Sequence, residues 1–433
     1  MGMMAASASV KAAVLIGISL LLLIPLGLLA GLVAERTIQR DAAVASVARG
    51  WGDRQWVGGP VLAIPVTDGG SPSRTVDWYV LPESLEITAA LEVQDTPRRL
   101  GLYDVPVYIA RVHVTGAFNI AAAMAVLAHD GGTAARVHPE QARLLLPIKD
   151  PRGLRELVSG NEPLHFQPES GFPLSVMAVP LDLSATAART FDLSFRLAGT
   201  QSLNFLPLGK VVHVQLQGNW PDPGFTDGFL PTERKLEGNR FTASWQVLDV
   251  NRTYGNHWSA DRNSEQGLLA SGFGVELVQP VDIYQRCTRA VKYGGLFIAL
   301  SILTLFLVEN LRRRAIHPIQ YGLMGLALSI FYLLLLALAE HIGFLAAYLL
   351  ATTALCVLMG VYLAAALRSR LGGAASAGCF AATYALLYLL ITSESYALLA
   401  GAITLFTLLT AAMLLTRRID WYTREVSQGD IRP

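Results

Sequence analysis

The order of apolar and polar positions divides the chain into three parts. One long apolar run lies near the start, and a dense apolar block follows residue 292. About twenty apolar residues in a helix cross the roughly 30 Å hydrocarbon layer of a membrane. This length test predicts six membrane-spanning helices, at residues 12–34, 291–311, 319–339, 342–367, 371–392 and 396–416. The first run exceeds the roughly 7–15 residues of a signal-peptide core, so an uncleaved anchor is favoured over a cleaved leader.

Between the first two spans the periodicity changes. Residues 35–56 keep helical spacing and predict a juxtamembrane helix that continues the first span. Alternating polar and β-branched or aromatic residues then predict strands. The clearest strand segments are 78–93, 105–118, 188–197, 210–220 and 239–250. Residues 121–132 predict a helical insert and 151–160 a weaker one. The pattern is typical of an antiparallel sandwich or an irregular multi-sheet domain.

Taken together, the pattern predicts an α+β membrane protein. An N-terminal transmembrane helix precedes a large β-rich domain at 35–290, and a bundle of five transmembrane helices follows at 291–416. Composition agrees, since 52% of residues are hydrophobic and only 15% are charged. The three cysteines are Cys287, Cys356 and Cys379, so the β-rich domain has to rely on a buried core instead of disulfides.

Arginine placement predicts the orientation in the membrane. Short loops rich in Lys and Arg remain cytoplasmic. Arginines occur in the connections after spans two and four and in the tail at 417–433, whereas the connections at 340–341 and 393–394 have none. Both termini, residues 1–11 and 417–433, are therefore expected in the cytoplasm and the β-rich domain outside it. The residues that oppose this bias flank the β-rich domain: Arg36, Arg40, Arg286 and Arg289. Long domains cross largely regardless of such charges.

No catalytic or metal-binding motif stands out. The histidines of the β-rich domain are scattered without metal-ligand spacing, and GxSxG, SxxK and Walker patterns are absent. The glycines in SGFGVELVQP at 271–280 favour a turn into a strand over a phosphate-binding loop. A net charge of +1 leaves no footprint for nucleic acid. We therefore expect a protein that is not an enzyme and has no cofactor or metal.

Several blocks in order resemble one known family. They are SVARGWGDRQWVGGPVLAIP (46–65), LPESLEI (81–87), RRLGLYDVPVYIA (98–110), SLNFLPLGK (202–210), SGFGVELVQPVDIYQRCTRAVKYGGLFIAL (271–300), IHPIQYGLMGLALSIFYLLLLALAEHIGF (316–344) and TRRIDWY (416–422). Together they closely resemble the CreD family of bacterial inner-membrane proteins. The resemblance implies a multi-pass inner-membrane protein with a periplasmic domain. It further implies a role in cell envelope integrity, linked to a two-component system that responds to envelope and β-lactam stress. It carries no catalytic residue, substrate or cofactor.

One candidate cluster lies where the external helix ends are expected. It comprises Asp282, Tyr284, Glu340, His341 and Glu394. Glu340 and His341 are predicted to form the hairpin between spans three and four, with Glu394 in the other external hairpin. Family members more often carry an acidic pair where this chain has Glu394 alone. The competing interpretation is that these residues, like His317 and Pro318 at the other end, only mark helix ends.

Three functions remain open at this stage. The first is a non-enzymatic integrity protein whose exported domain binds envelope partners. The second is a carrier or flippase for a lipid-linked envelope precursor. The third is a membrane sensor that works with a separate histidine kinase. The lipid bilayer is a partner in all three. The tail residues Arg417, Arg418, Trp421 and Tyr422 suit anionic headgroups and the membrane interface.

Overall fold

The structure is a computed structural model that describes most of the chain. It covers residues 8–392 except for gaps at 69–72, 133–134, 160–161, 164–165, 186, 226–227, 262–264, 278–282 and 313–315. Beyond 392 it covers only 399, 401–403, 406–407, 410 and 413–414. Two units emerge from the Cα positions: residues 1–39 together with 281–433, and residues 40–280.

The first unit is helical. Its elements are α1 (Ala8–Leu21), the start of α2 (Leu23–Trp51), α5 (Ile283–Arg312), α6 (Pro318–Ile342), α7 (Phe344–Ala366) and α8 (Arg370–Thr392). In the described part of the chain, five helices are long and apolar enough to cross a membrane: 13–51, 283–306, 318–342, 344–366 and 370–392. The break between α1 and α2 at Leu22 fits Pro25, because proline has no N–H for the carbonyl of Leu21. An N-terminal apolar helix and four C-terminal ones confirm the predicted architecture, while the sixth predicted span, 396–416, lies largely outside the described residues.

Helix packing in this unit joins helices that follow one another in the chain and also helices that are distant in sequence. Helix α7 contacts α6 and α8, α5 contacts α6 and α8, and α1 contacts α5 and α6. At Gly325 on α6 an added Cβ would collide with the side chain of Leu22, so glycine is what allows this close approach. Small residues have this role in membrane bundles because lipid gives no hydrophobic drive for helices to associate.

The second unit is built from sheets. An eight-stranded sheet has the order β11 (Glu162–Pro163), β10 (Leu154–Ser159), β14 (Ala188–Thr200), β7 (Val107–Asn119), β4 (Ser84–Val93), β16 (Val211–Gly218), β19 (Arg240–Leu248), β18 (Glu233–Glu237). A seven-stranded sheet has the order β12 (Gln167–Glu169), β13 (Val176–Pro180), β9 (Arg143–Pro147), β2 (Val61–Thr67), β3 (Thr75–Val80), β20 (His257–Ser259), with β8 (Arg136–Val137) also paired to β2.

Smaller elements complete the second unit. A four-stranded sheet has the order β1 (Gln55–Gly58), β15 (Ser202–Leu206), β21 (Phe273–Leu277), β17 (Pro223–Phe225), and β5 (Arg98–Leu100) forms a hairpin with β6 (Tyr103–Val105). The helices are α3 (Ile120–Asp130) and α4 (Glu265–Ala270), with 3₁₀ turns at Pro139–Gln141, Pro151–Gly153 and Asp249–Asn251. The five segments predicted as strands, and the turn-to-strand interpretation of 271–280, are confirmed as far as these residues are described.

The seven-stranded sheet is covered on both faces. Leu62 and Ile64 of β2 belong to one apolar cluster, together with the inner face of the eight-stranded sheet and α3. Val61 and Ala63 of the same strand belong to a second cluster, which contains Trp258. A sheet buried on both sides has apolar residues at successive positions, as β2 does.

By contrast, the eight-stranded sheet leaves one face in solvent. Along β4 and β16 buried apolar residues alternate with exposed polar ones. Gln215 on β16 lies in register with Thr88 on β4 and Ser244 on β19, so polar side chains form rows across the sheet. A groove of about 830 Å³ opens on this sheet, with Glu92, Gln217 and Lys235 in its lining.

Two local predictions need correction. The helix predicted for 151–160 is wrong, because the structure has a 3₁₀ turn at Pro151–Gly153 and then strand β10, which pairs with β14. Sheet pairing here overrides the local helical pattern. The juxtamembrane helix exists, but it ends at Trp51, and Gln55–Gly58 joins β15 as a parallel strand.

Gln55 fixes this junction between helix and sheet. Its side chain is fully buried, and its Nε2 donates to the carbonyl oxygens of Asp150 and Ala198 at 3.2 and 2.9 Å. Burial acts to raise the pKa of Asp150, but hydrogen bonds from the Arg152 side chain and from the backbone N–H of Asp53 outweigh it and lower that pKa below its usual value. The resulting network joins the residues just after α2 to β14 and to the 3₁₀ turn.

We expect Gln55→Ala to lower the free energy of unfolding by about 2–4 kcal/mol, because it removes the buried hydrogen bonds that the Gln55 side chain makes with the backbone of Asp150 and Ala198. Denaturant unfolding of the full chain in detergent, followed by tryptophan fluorescence, measures the effect. Gln246→Ala, at an exposed position of β19, is the control and should change the value by no more than about 0.5 kcal/mol. Equal losses in the two variants would refute the role of Gln55.

Candidate functional site

Two of the five predicted site residues meet at one end of the helical unit. The hydroxyl of Tyr284 donates to Oε1 of Glu340 at 3.1 Å. Tyr284 is buried, and the Glu340 side chain is only 9% exposed. Tyr284 lies in the first turn of α5 and Glu340 in the last turn of α6. The two helices are antiparallel neighbours, so the beginning of one lies beside the end of the other.

Arg36 completes this cluster, which we call the Glu340 cluster and define as Arg36, Tyr284 and Glu340. The Nε atom of Arg36 lies 3.6 Å from Oε1 of Glu340. From the sequence, Arg36 was expected only to oppose the predicted orientation. A positive charge on the unexpected side of the first span was the one hint in the sequence that Arg36 needs an acidic partner. The sequence does not show that this partner is Glu340.

The turn after Glu340 differs from the prediction. Glu340 and His341 were expected to form the hairpin, but α6 continues through both residues to Ile342. The connection to α7 is Gly343 alone, which has φ of +79° and donates its N–H to the carbonyl of Ala339. Glycine adopts positive φ without steric cost, so a one-residue turn is possible there. Glu340 is consequently held by a rigid helix.

The other predicted residues are not part of this cluster in the described structure. His341 is exposed, and among the described residues it has no hydrogen bond or ion pair. Asp282 and Glu394 lie outside the described residues. The predicted five-residue cluster therefore remains a prediction for Asp282 and Glu394.

The opposite end of α6 shows helix capping. His317 is the N-cap, its Nδ1 accepts from the backbone N–H of Ile319 at 3.3 Å, and Pro318 occupies the first helical turn. Gln320 completes the arrangement by accepting from the N–H of His317 at 3.1 Å. The structural interpretation of His317 as a helix-end marker is confirmed.

One arrangement in the β-rich unit resembles a catalytic relay. Nε2 of His138 lies 3.0 Å from Oγ1 of Thr67, and Nδ1 lies 3.1 Å from Oε1 of Glu140. However, Thr67 is also 2.8 Å from the hydroxyl of Thr75 in register across β2 and β3, which is an ordinary cross-strand pair. Glu140 is half-exposed. The contacts thus join a strand pair to the turn that follows β8.

A metal site needs several ligand side chains gathered at one point. Among the described residues, no group of three or more His, Cys, Asp or Glu side chains is placed to hold a metal ion. In the same part of the chain, the remaining histidine–carboxylate contacts are separate surface pairs, His113 with Asp192 and His257 with Asp130.

Comparison with known proteins gives a consistent result. Residues 7–422 match the family described as Inner membrane protein CreD. The Inner membrane protein CreD of Escherichia coli (strain K12) is 30% identical over 431 residues, which cover 94% of this chain and 92% of that protein. The match therefore includes the helical unit and the β-rich unit alike.

We expect the hydrogen bond between Tyr284 and Glu340 to give a measurable coupling energy between the two side chains. In a double-mutant cycle of Tyr284→Phe and Glu340→Ala, the unfolding free energies should be non-additive by about 1.5–3 kcal/mol, because the acceptor is a buried charged group. Unfolding of the full chain in detergent gives the values. The matched cycle of Tyr284→Phe with His341→Ala should be additive to within about 0.5 kcal/mol. Additivity in the first cycle would contradict the contact.

Proposed function

The chain belongs to the CreD family of inner membrane proteins, and we propose that it supports cell envelope integrity as a non-enzymatic, membrane-anchored binding protein. In this proposal the helical unit holds the protein in the membrane and the β-rich unit binds envelope partners. The family match and the several apolar helices support a multi-pass inner membrane protein. The envelope role and the partners are the proposed part.

The observation that carries the binding role is the exposed polar face of the eight-stranded sheet. Its groove of about 830 Å³ presents amide, carboxylate and ammonium groups, with Gln217, Glu92 and Lys235 in its lining. Such side chains offer donors and acceptors to a partner surface. In the described residues no group of three or more His, Cys, Asp or Glu side chains is placed to hold a metal ion there.

The proposed orientation places the β-rich unit in the periplasm and both termini in the cytoplasm. It rests on the arginines between α5 and α6 and in the tail, against connections without Lys or Arg at the other end of the helices. This orientation presents the groove to the envelope layers that such a protein would serve.

For the Glu340 cluster we propose a fastening role. Arg36 lies just before the β-rich unit begins at residue 40, and Tyr284 lies just after it ends at residue 280. Glu340 contacts both side chains. The cluster thereby holds together the two chain segments that lead into and out of the β-rich unit.

One observation favours a carrier as the second candidate function. A cavity of about 160 Å³ lies between α5 and α8, and its lining combines apolar side chains with Ser301, Thr304, Ser376 and Thr383. The hydroxyls of Ser301, Ser376 and Thr383 donate to carbonyls of their own helices, so towards a bound lipid they would act as acceptors. No comparable observation in the described residues favours the sensor, although a separate histidine kinase remains a proposed partner.

Reporter fusions test the orientation. We expect alkaline phosphatase fused after Trp245 to be active and green fluorescent protein at the same position to be dark, because only the periplasm activates the first and only the cytoplasm matures the second. A fusion at Arg370, at the start of α8, should give the opposite pattern. A fluorescent Trp245 fusion would overturn the orientation.

Site-specific photo-crosslinking in cells tests the binding role. We expect a photoreactive residue at Gln217, in the groove, to capture envelope proteins in a strain where wild-type protein restores resistance to envelope stress. The matched control is Arg136, an exposed residue of β8 outside that groove. Equal capture at both positions would refute the groove as the binding surface. Lipid captured at Ser376 without protein at Gln217 would favour the carrier, and capture of a histidine kinase would favour the sensor.

A further inference from the structure

Three cationic residues follow one another at the start of α5: Arg286, Arg289 and Lys292. We call them the α5 cations. Residues three apart on a helix are neighbours on its surface, so these side chains lie along one side of its first turns. Two acidic residues are described near this end: Glu340 is engaged by Tyr284 and Arg36, and Glu35 accepts from the side chain of Gln39. Neither of these two carboxylates contacts Arg286 or Lys292 in the structure.

Arg286 is the most informative of the three. Its guanidinium lies over the ring of Phe344, with Cζ 5.4 Å from the ring centre. This stacking uses the flat face of the guanidinium, so its N–H groups point away from the centre of the ring. The Nε atom is buried and has no hydrogen-bond partner, and no carboxylate in the described residues pairs with this side chain. Arg143 and Arg252 also have a buried Nε without a partner, but their other guanidinium nitrogens are paired. Arg286 differs because no acceptor in the described residues contacts its guanidinium, which leaves a charged donor group open to a ligand.

Packing places this site at one end of the helical unit. Arg286 reaches the first residue of α7, and Nη1 of Arg289 lies 3.4 Å from the carbonyl oxygen of Ile391 near the end of α8. Helix ends of membrane spans lie at the level of the lipid headgroups, where phosphate groups are concentrated. Lys292 is exposed beside them, and in the described part of the chain it has no ion pair.

We propose that the α5 cations bind the phosphate of an anionic membrane lipid, with Arg286 as the central ligand. The N–H edge of a guanidinium matches two phosphate oxygens, and the fixed orientation on Phe344 prepares Arg286 for that contact. Lys292 adds a point charge from the solvent side. This site is separate from the sheet groove and goes beyond the proposed envelope role. It does not depend on which way the protein faces.

The experiment uses the full chain purified in detergent, with thermal unfolding measured during lipid titration. We expect phosphatidylglycerol to raise the melting temperature, phosphatidylcholine to raise it less, and diacylglycerol or inorganic phosphate to leave it unchanged. Arg286→Gln should weaken the apparent affinity for phosphatidylglycerol about tenfold, the effect of losing charge-assisted hydrogen bonds. Arg286→Lys should lie between wild type and Arg286→Gln, because it keeps the charge but loses the planar donor edge.

Arg370→Gln is the matched control. It removes one exposed arginine from the first residue of α8, at the opposite end of the helix whose last turn Arg289 contacts. If Arg286→Gln weakens lipid binding no more than Arg370→Gln does, the effect is general surface charge and the site is refuted. If inorganic phosphate stabilises as well as the lipid, the site binds free anions, and the lipid assignment is wrong. Should Arg286→Gln fail to fold, Lys292→Gln against the same control decides, since an equal effect refutes the proposal.

Discussion

The Glu340 carboxylate is the constraint on which the arrangement of the helical unit depends. It is almost fully buried at the end of α6, where it accepts a hydrogen bond from Tyr284 and lies beside the guanidinium of Arg36. A buried carboxylate without partners would be strongly destabilising, so the start of α5 and the Arg36 turn of α2 have to stay beside the end of α6. One acidic side chain thereby links helices that are far apart in sequence. Two of these helices adjoin the β-rich unit in the chain, because α2 leads into it and α5 follows it.

The membrane changes which contacts hold the rest of this unit together. Apolar side chains gain little from leaving lipid for a helix interface, so close packing and polar contacts at helix ends become more important. Gly325 lets α6 approach Leu22 closely, and Gly343 allows α6 and α7 to turn within one residue. The arginines at the start of α5 contact the ends of other helices, through the ring of Phe344 and the carbonyl of Ile391. Arg286 and Lys292 lie at this same end, and a lipid phosphate is the acceptor that we propose for the guanidinium of Arg286.

The β-rich unit follows the rules of a water-soluble domain. Its seven-stranded sheet is buried on both faces, while the eight-stranded sheet keeps one polar face in solvent. That polar face is a wide exposed surface of the β-rich unit. The proposed division of roles follows from these environments. A rigid polar surface suits recognition, and the helices suit anchoring.

The sequence by itself determined the properties that depend on neighbouring residues. The length of each apolar run determined where the membrane-spanning helices lie, and the alternation of polar and apolar residues determined strands such as Val211–Gly218. Both patterns depend only on residues that are close in sequence. The family was evident from blocks such as IHPIQY, which are contiguous in sequence. Residues 151–160 were misassigned because pairing with the distant strand β14 outweighs their local helical pattern. For the candidate site, the helix ends expected on the same side placed Tyr284 and Glu340 in one group, and the structure joins these two side chains by a hydrogen bond. The tertiary structure alone decided that Arg36 joins them, that His341 does not, and that Arg286 keeps a buried donor without an acceptor. Such contacts join helices that are distant in sequence, and only their packing fixes the distances between side-chain atoms.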